Sequence, residues 1–187
     1  MGDGSPVLSA RETARLIGRK ELSPVEVVRR ALDEADATQA TLNAFTVLRR
    51  DEALSEARAA EAAVMHGDDL GALHGLPFSA KDLISVEGLP YAFGSRAMEG
   101  NVGKVDAPSV ERAKAKGAIL IGKTTTSEFG CKPVGDSPLT GVTRNPIDLK
   151  LTPGGSSAGC AASVAAGITP FALGTDTARG FVWKAPR

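Results

Sequence analysis

The densest chemical signal in the chain is the string Thr152-Pro-Gly-Gly-Ser-Ser-Ala-Gly159, followed by Phe171-Ala-Leu-Gly-Thr-Asp176. Glycines that lead into serines at the start of a helix gather backbone N–H groups at the positive end of its dipole. Such a concavity suits an anion or a developing oxyanion. The string lacks the Lys-Ser/Thr ending of a Walker A loop, so nucleotide binding is not supported. The same turn also serves as a plain helix cap, and that alternative stays open from these residues alone.

The elements around this turn follow from local punctuation. Ser9-Ala-Arg-Glu12 and Ser23-Pro-Val-Glu26 are capping boxes, the second with Pro24 at the first helical position. The first helix is expected to stop at Gly18. The second carries Val25, Val28, Ala31, Leu32 and Ala35 at helical spacing, which predicts a helix over Pro24–Ala35. Leu42–Leu48 reads as a short extended run, and an Ala/Glu/Arg-rich helix follows to about Met65, closing at Gly67. Strands are expected near Leu76–Ala80, Ala118–Ile121 and Phe171–Gly174, and a helix over Ser157–Ala166. Gly88–Gly103 reads as loop, and Asp106 and Pro108 open a helix ending at Gly117. Helix, glycine and apolar strand in alternation is the pattern of an α/β layered fold. The expected architecture is α/β, with N-terminal helices packed on part of a mixed β-sheet.

Composition narrows the class. The 187 residues hold 22 basic and 22 acidic side chains, so no basic stripe points to nucleic acid. A charged fraction of 24% with 42% hydrophobic residues argues against global disorder. Cys131 and Cys160 are too few for a disulfide framework, and Met1–Ser9 lacks the apolar core of a signal peptide, so a cytoplasmic setting is expected. With His66 and His74 the only histidines and no C-x-x-C, neither metal nor cofactor is expected. The span from Leu151 to Thr175 carries no charge and is long enough to cross a bilayer. Its Ala-rich, Gly- and Pro-interrupted composition reads instead as a buried helix and strand, with no membrane partner.

Five strings in order resemble the amidase signature family: His74-Gly-Leu-Pro-Phe-Ser-Ala-Lys-Asp82, Gly122-Lys-Thr-Thr-Thr-Ser-Glu-Phe129, Thr143-Arg-Asn-Pro146, Pro153-Gly-Gly-Ser-Ser-Ala-Gly159 and Phe171-Ala-Leu-Gly-Thr-Asp-Thr177. The resemblance runs from about residue 8 to residue 177. It implies amide hydrolysis by a lysine, a bridging serine held by a cis peptide bond, and a nucleophilic serine, in incomplete α/β/α layers. The lysine falls on Lys81 and the bridging serine on Ser156. Asp176 and Thr177, continuing into Ala178 and Arg179, would form the oxyanion turn. A lysine serves as a base only when deprotonated, and burial lowers its pKa by disfavouring the ammonium. The bland alternatives are a solvated Lys81 paired with Asp82 or Glu128, a capping Ser157, a structural Lys123, a turn residue at Asp176 and a simply buried Cys160.

The chain departs from the family at one place. Family members continue Gly-Thr-Asp-Thr with Gly-Gly-Ser, whereas this chain has Ala178, Arg179 and Gly180, so glycine occupies the nucleophile position. The tail over 178–187 diverges abruptly, and family members run to more than twice this length. The chain is therefore expected to be one domain over 1–187, the N-terminal portion of an amidase-signature-like domain with a truncated or frame-altered end. Three readings compete: a hydrolase of amides or related esters retaining Lys81 and Ser156, an inactive half-domain used for binding or assembly, or a subunit completed by another chain. Two substitutes for the nucleophile are Ser156 itself and, lacking a base, Cys160; Ser157 is a further hydroxyl beside them. A cut sheet leaves an unpaired edge, which predicts a homo-oligomer or a complex with another chain. A cis bond before Ser156 costs about 3 kcal/mol and needs enforcement by its surroundings, so a trans bond is open to this chain.

Overall fold

The computed structural model describes residues 8–176 and 180–184. Helix α1 covers Ala10–Gly18, α2 Pro24–Leu42, α3 Arg50–His66, α4 Pro108–Ala115 and α5 Ala158–Ala165. Strands β1 (Phe45–Leu48), β2 (Pro77–Lys81), β3 (Ile119–Thr124), β6 (Phe171–Thr175) and β7 (Gly180–Lys184) form one sheet in the order β1-β3-β2-β6-β7. β2 runs parallel to both neighbours, while β1 and β7 pair antiparallel at the edges. A separate two-stranded ribbon joins β4 (Asp136–Ser137) to β5 (Gly141–Val142). This is the mixed α/β architecture expected from the sequence.

Both serine caps form. Ser9 Oγ accepts from Glu12 N at 3.2 Å, although the Glu12 carboxylate turns to Arg15 and leaves the box half made. Ser23 Oγ accepts from Val25 N and Glu26 N at 3.0 and 3.3 Å. Helix α2 continues past Ala35 to Leu42, because nothing between them breaks a helix and Leu42 is buried. It closes on Asn43, which takes the left-handed conformation at φ 49° and donates to Thr140 O and Val142 O. The extended segment therefore begins at Phe45 rather than Leu42.

The sheet separates two cores. Ile119 and Ile121 of β3 face Val28 and Leu32 of α2 and Ala53 and Ala57 of α3, with Ala162 of α5 completing that side. Leu120, Phe78 and Leu173 face the other way, toward Val110 of α4 and Ile17 of α1. Phe78 and Phe171 stack with ring centroids 5.4 Å apart. Each such fully buried side chain contributes about 1.5–3 kcal/mol. The uncharged run after Leu151 resolves into a turn, α5 and β6, and among the described residues no helix is long and apolar enough to cross a membrane.

Between β2 and α4 the chain folds back on itself. Glu87 bridges Gly103, Pro90 bridges Val102, and Arg96–Met98 makes a single 3-10 turn. The base of this loop is tied by Asp106, which accepts from Glu87 N at 2.9 Å and Lys114 Nζ at 2.6 Å.

Candidate active site

The C-terminal ends of β2 and β6 meet the N-terminal end of α5, and three hydroxyl or amine groups converge there. Lys81, the last residue of β2, is wholly buried. Its Nζ donates to Ser156 Oγ at 2.6 Å and to Thr175 Oγ1 at 2.7 Å. The sheet register brings β6 beside β2, pairing Ala80 with Leu173, so Thr175 arrives at the level of Lys81. Ser156 is delivered by a turn in which Gly154 and Gly155 have φ of 76° and 62°. Two successive left-handed residues require glycine, which accounts for the Gly-Gly before the serines. Among the described residues no peptide bond is cis, that before Ser156 included.

Ser157 stands at the N-cap of α5 without capping it. Its Oγ donates to Thr175 O at 3.0 Å and accepts from Thr175 N at 3.2 Å, lashing the helix to the end of β6. The helix-cap alternative for Ser157 is corrected on this point: β6 presents both a donor and an acceptor, and they satisfy the hydroxyl first. Two residues later Gly159 lies where a Cβ would come within 2.4 Å of Ala44 O and 2.5 Å of Thr125 N. Only glycine lets α5 approach this closely.

Burial pushes Lys81 down to about 8, against the opposing pull of Cys160 and the Asp176 carboxylate. Near neutral pH a useful fraction of the amine is therefore free to accept a proton. Its partners are hydroxyls, which can reverse the direction of their hydrogen bonds when the lysine loses its proton. The alternative of a solvated Lys81 paired with Asp82 or Glu128 does not hold. Asp82 accepts from Ala92 N and Gly94 N, and Glu128 accepts from Ser95 Oγ at 2.8 Å.

Cys160 is wholly buried, with Sγ 3.0 Å from Thr124 Oγ1 and donating to Leu173 O at 3.3 Å. Burial pushes its thiol up to about 11, so it stays protonated and a poor nucleophile. Lys123 is buried on the neighbouring strand and donates to Pro90 O and Asp82 O. Asp176 follows directly on β6 and is exposed. Thr177, Ala178 and Arg179 lie outside the described residues; Gly180 opens β7, in register opposite Thr175. No cluster of three or more His, Cys, Asp or Glu that could hold a metal occurs among the described residues. An apolar cavity of about 150 Å³ opens at the opposite end of the strands, beside Pro77 and Pro170, and holds none of these groups.

Lys81 and Ser156 are thus brought together as the sequence suggests, while Thr175 was missed. Its position depends on the pairing of β2 with β6, a contact 94 residues apart in the chain, and no local pattern encodes it.

A family profile described as Amidase matches residues 26–179. Over 172 residues the chain is 43% identical to a glutamyl-tRNA(Gln) amidotransferase subunit of Symbiobacterium thermophilum, a match that covers 91% of this chain and 35% of that protein. The subunit of the same name from Acidothermus cellulolyticus is 40% identical, over 90% of this chain and 34% of its own length. Among solved structures, a bacterial aryl acylamidase of the amidase signature enzymes superposes with a TM-score of 0.86 at 36% identity, covering 91% of this chain and 36% of that one. The peptide amidase of Stenotrophomonas maltophilia gives 0.85 at 32%, covering 92% and 37%. The chain spans about a third of the length of these relatives.

Proposed function

This chain belongs to the amidase signature family, and from that premise we propose that it hydrolyses carbon–nitrogen bonds of simple carboxamides, slowly, through Lys81 and Ser156 alone. The observation that carries the reading is the 2.6 Å hydrogen bond between a wholly buried lysine and a half-buried serine. With glycine at position 180, the hydroxyl next to the base is the one on Ser156. As free amine, Lys81 takes the Ser156 proton while Oγ bonds to the amide carbon. Collapse of the tetrahedral adduct breaks the C–N bond, and the lysine returns its proton to the departing amine. Water then cleaves the acyl–serine ester and releases the acid. No cofactor enters these steps.

The pure chain should show slow turnover of p-nitrophenyl acetate, with intact mass placing a transient acetyl group on Ser156. Lys81→Ala and Ser156→Ala should abolish it alike. Turnover that survives Ser156→Ala would overturn the reading.

A second reading is favoured by a different observation. Val142, Ile147, Leu149 and Leu151 are exposed within one segment, Ile147 at 86%, and the curated relatives are by name subunits of a glutamyl-tRNA(Gln) amidotransferase. In this reading the chain works in complex with another chain that completes its site. Light scattering that finds a monodisperse monomer at high concentration would count against it.

A further inference from the structure

Asp82 and Lys123 form a second wholly buried ionic group, and the lysine–serine chemistry does not use it. Lys123 Nζ lies 4.0 Å from Asp82 Oδ1. The register pairs Ala80 with Lys123 and Lys81 with Thr124. Alternate residues of a strand face opposite sides, so Lys123 and Lys81 point to opposite faces of the sheet.

The pair instead grips the tip of the loop between β2 and α4. Lys123 Nζ donates to Pro90 O at 2.9 Å and sits 5.7 Å from the centre of the Tyr91 ring. The Asp82 carboxylate accepts from Gly94 N at 2.8 Å and Ala92 N at 3.3 Å. Between those anchors Phe93 is held at φ 56°, and its carbonyl accepts from Phe129 N at 2.8 Å. Phe129 is itself held at φ 50°. Two bulky residues in the left-handed region cost about 1–3 kcal/mol each and persist only where neighbours enforce them. The segment they shape reaches the serine: Ser127 N donates to Ser156 O, and Gly130 lies where a Cβ would be 3.8 Å from Ser156 Oγ.

We propose that Asp82 and Lys123 are positioning residues for the lysine–serine site, seating residues 90–94 and through them residues 127–130 over Ser156, so that water is kept from Lys81. The inference rests on the assignment of Lys81 and Ser156 to the site, but its test needs no turnover. The Cε resonance of Lys81 in 13C-lysine-labelled protein, assigned through Lys81→Met, reports its titration midpoint. The groups facing Lys81 are Ser156, Thr175, Cys160 and Asp176, and none is altered by the variants used.

Asp82→Asn and Lys123→Met should each raise the Lys81 midpoint by about one pH unit as hydration of the ammonium is restored. Asp106→Asn, which loosens the base of the same loop, should lower thermal stability and leave the midpoint in place. An unchanged midpoint in folded Asp82→Asn and Lys123→Met overturns the proposal, and so does an equal rise in Asp106→Asn. Should the first two fail to fold, Gly94→Ala decides. There φ is 65° and a Cβ would meet Thr126 O at 3.0 Å, so the seat is disturbed with both charges kept. A raised midpoint supports the proposal and an unmoved one overturns it. A shifted midpoint in a chain that hydrolyses nothing would sink the proposed function and leave this inference standing.

Discussion

Lys81 and Lys123 stand on adjacent strands, both wholly buried and both pushed by burial down to about 8, yet their surroundings ask different things of them. Lys123 faces acceptors alone: two main-chain carbonyls and a carboxylate. Loss of its proton would leave a lone pair among oxygens with nothing to donate. Lys81 faces hydroxyls, and each of those can turn and donate in its place. Depression of a lysine pKa is therefore a poor guide to role. The reversibility of the partners decides whether the proton can leave without breaking the site.

The largest effect expected from this contrast is kinetic. Lys81→Met should slow phosphonylation of Ser156 by a fluorophosphonate, in which Oγ displaces fluoride from phosphorus, about a thousandfold, the range of a lost general base. Intact mass against time reads it. A Lys81→Met chain phosphonylated at the parent rate would remove the distinction between the two lysines.

Stability should show the opposite order. Lys123→Met strands the carbonyls of Pro90 and Asp82 without a donor in the interior, which the neutral amine would still supply, a loss of about 2–5 kcal/mol. Lys81→Met leaves only hydroxyls unpaired and ends the burial of an ammonium, so its stability should stay within about 1 kcal/mol of the parent chain. Urea unfolding of the two variants side by side measures this. Equal losses would mean that both lysines are structural.

How much of this was legible beforehand depends on the range of the interaction. Ser9, Ser23 and Pro24 act within one helical turn, and the caps they foretell are present. The buried run around Ile119–Ile121 and the mixed α/β sheet likewise follow from local periodicity. What failed to show was set by partners far away in the chain. Ser157 reads as a cap until β6 supplies the backbone of Thr175. Asp82 reads as a partner for Lys81 until the fold brings Gly94 and Lys123 to it. Helix α2 outran its apolar stripe because Gln39 bonds the backbone of Phe45 and Leu42, at the far end, is buried by distant core residues.

The two lysines also leave a joint signature in pH. Below about 8 each is charged in the folded and unfolded chain alike, and the full penalty of burying the charge stands. Between about 8 and the ordinary value of 10.5 the unfolded chain keeps protons that the folded chain has lost, so stability rises with pH. Cys160 opposes this between its ordinary 9.0 and about 11, where only the unfolded chain ionises. Thermal unfolding should therefore move upward from pH 7.5 to 9, by about a few degrees, and flatten beyond. Lys81→Met should remove about half of the rise. A midpoint that falls from pH 7.5 to 9 would contradict the depressed lysines.

The smallest effect serves to separate stability from the site altogether. Gly18 ends α1, far from the strand ends that carry Lys81 and Lys123; it is exposed, its φ is not positive, and a Cβ there would meet nothing within 4 Å. Alanine fits that backbone without strain and narrows the unfolded chain's freedom, so Gly18→Ala should stabilise by about 0.4–1 kcal/mol. Because α1 packs on the opposite core from α5, the gain should leave the Lys81 titration and the rate of Ser156 phosphonylation untouched. Placed in the background of Lys123→Met, it should restore part of the lost stability and none of the shifted midpoint. Recovery of the midpoint along with the stability would show that Lys123 acts on Lys81 only by keeping the chain folded.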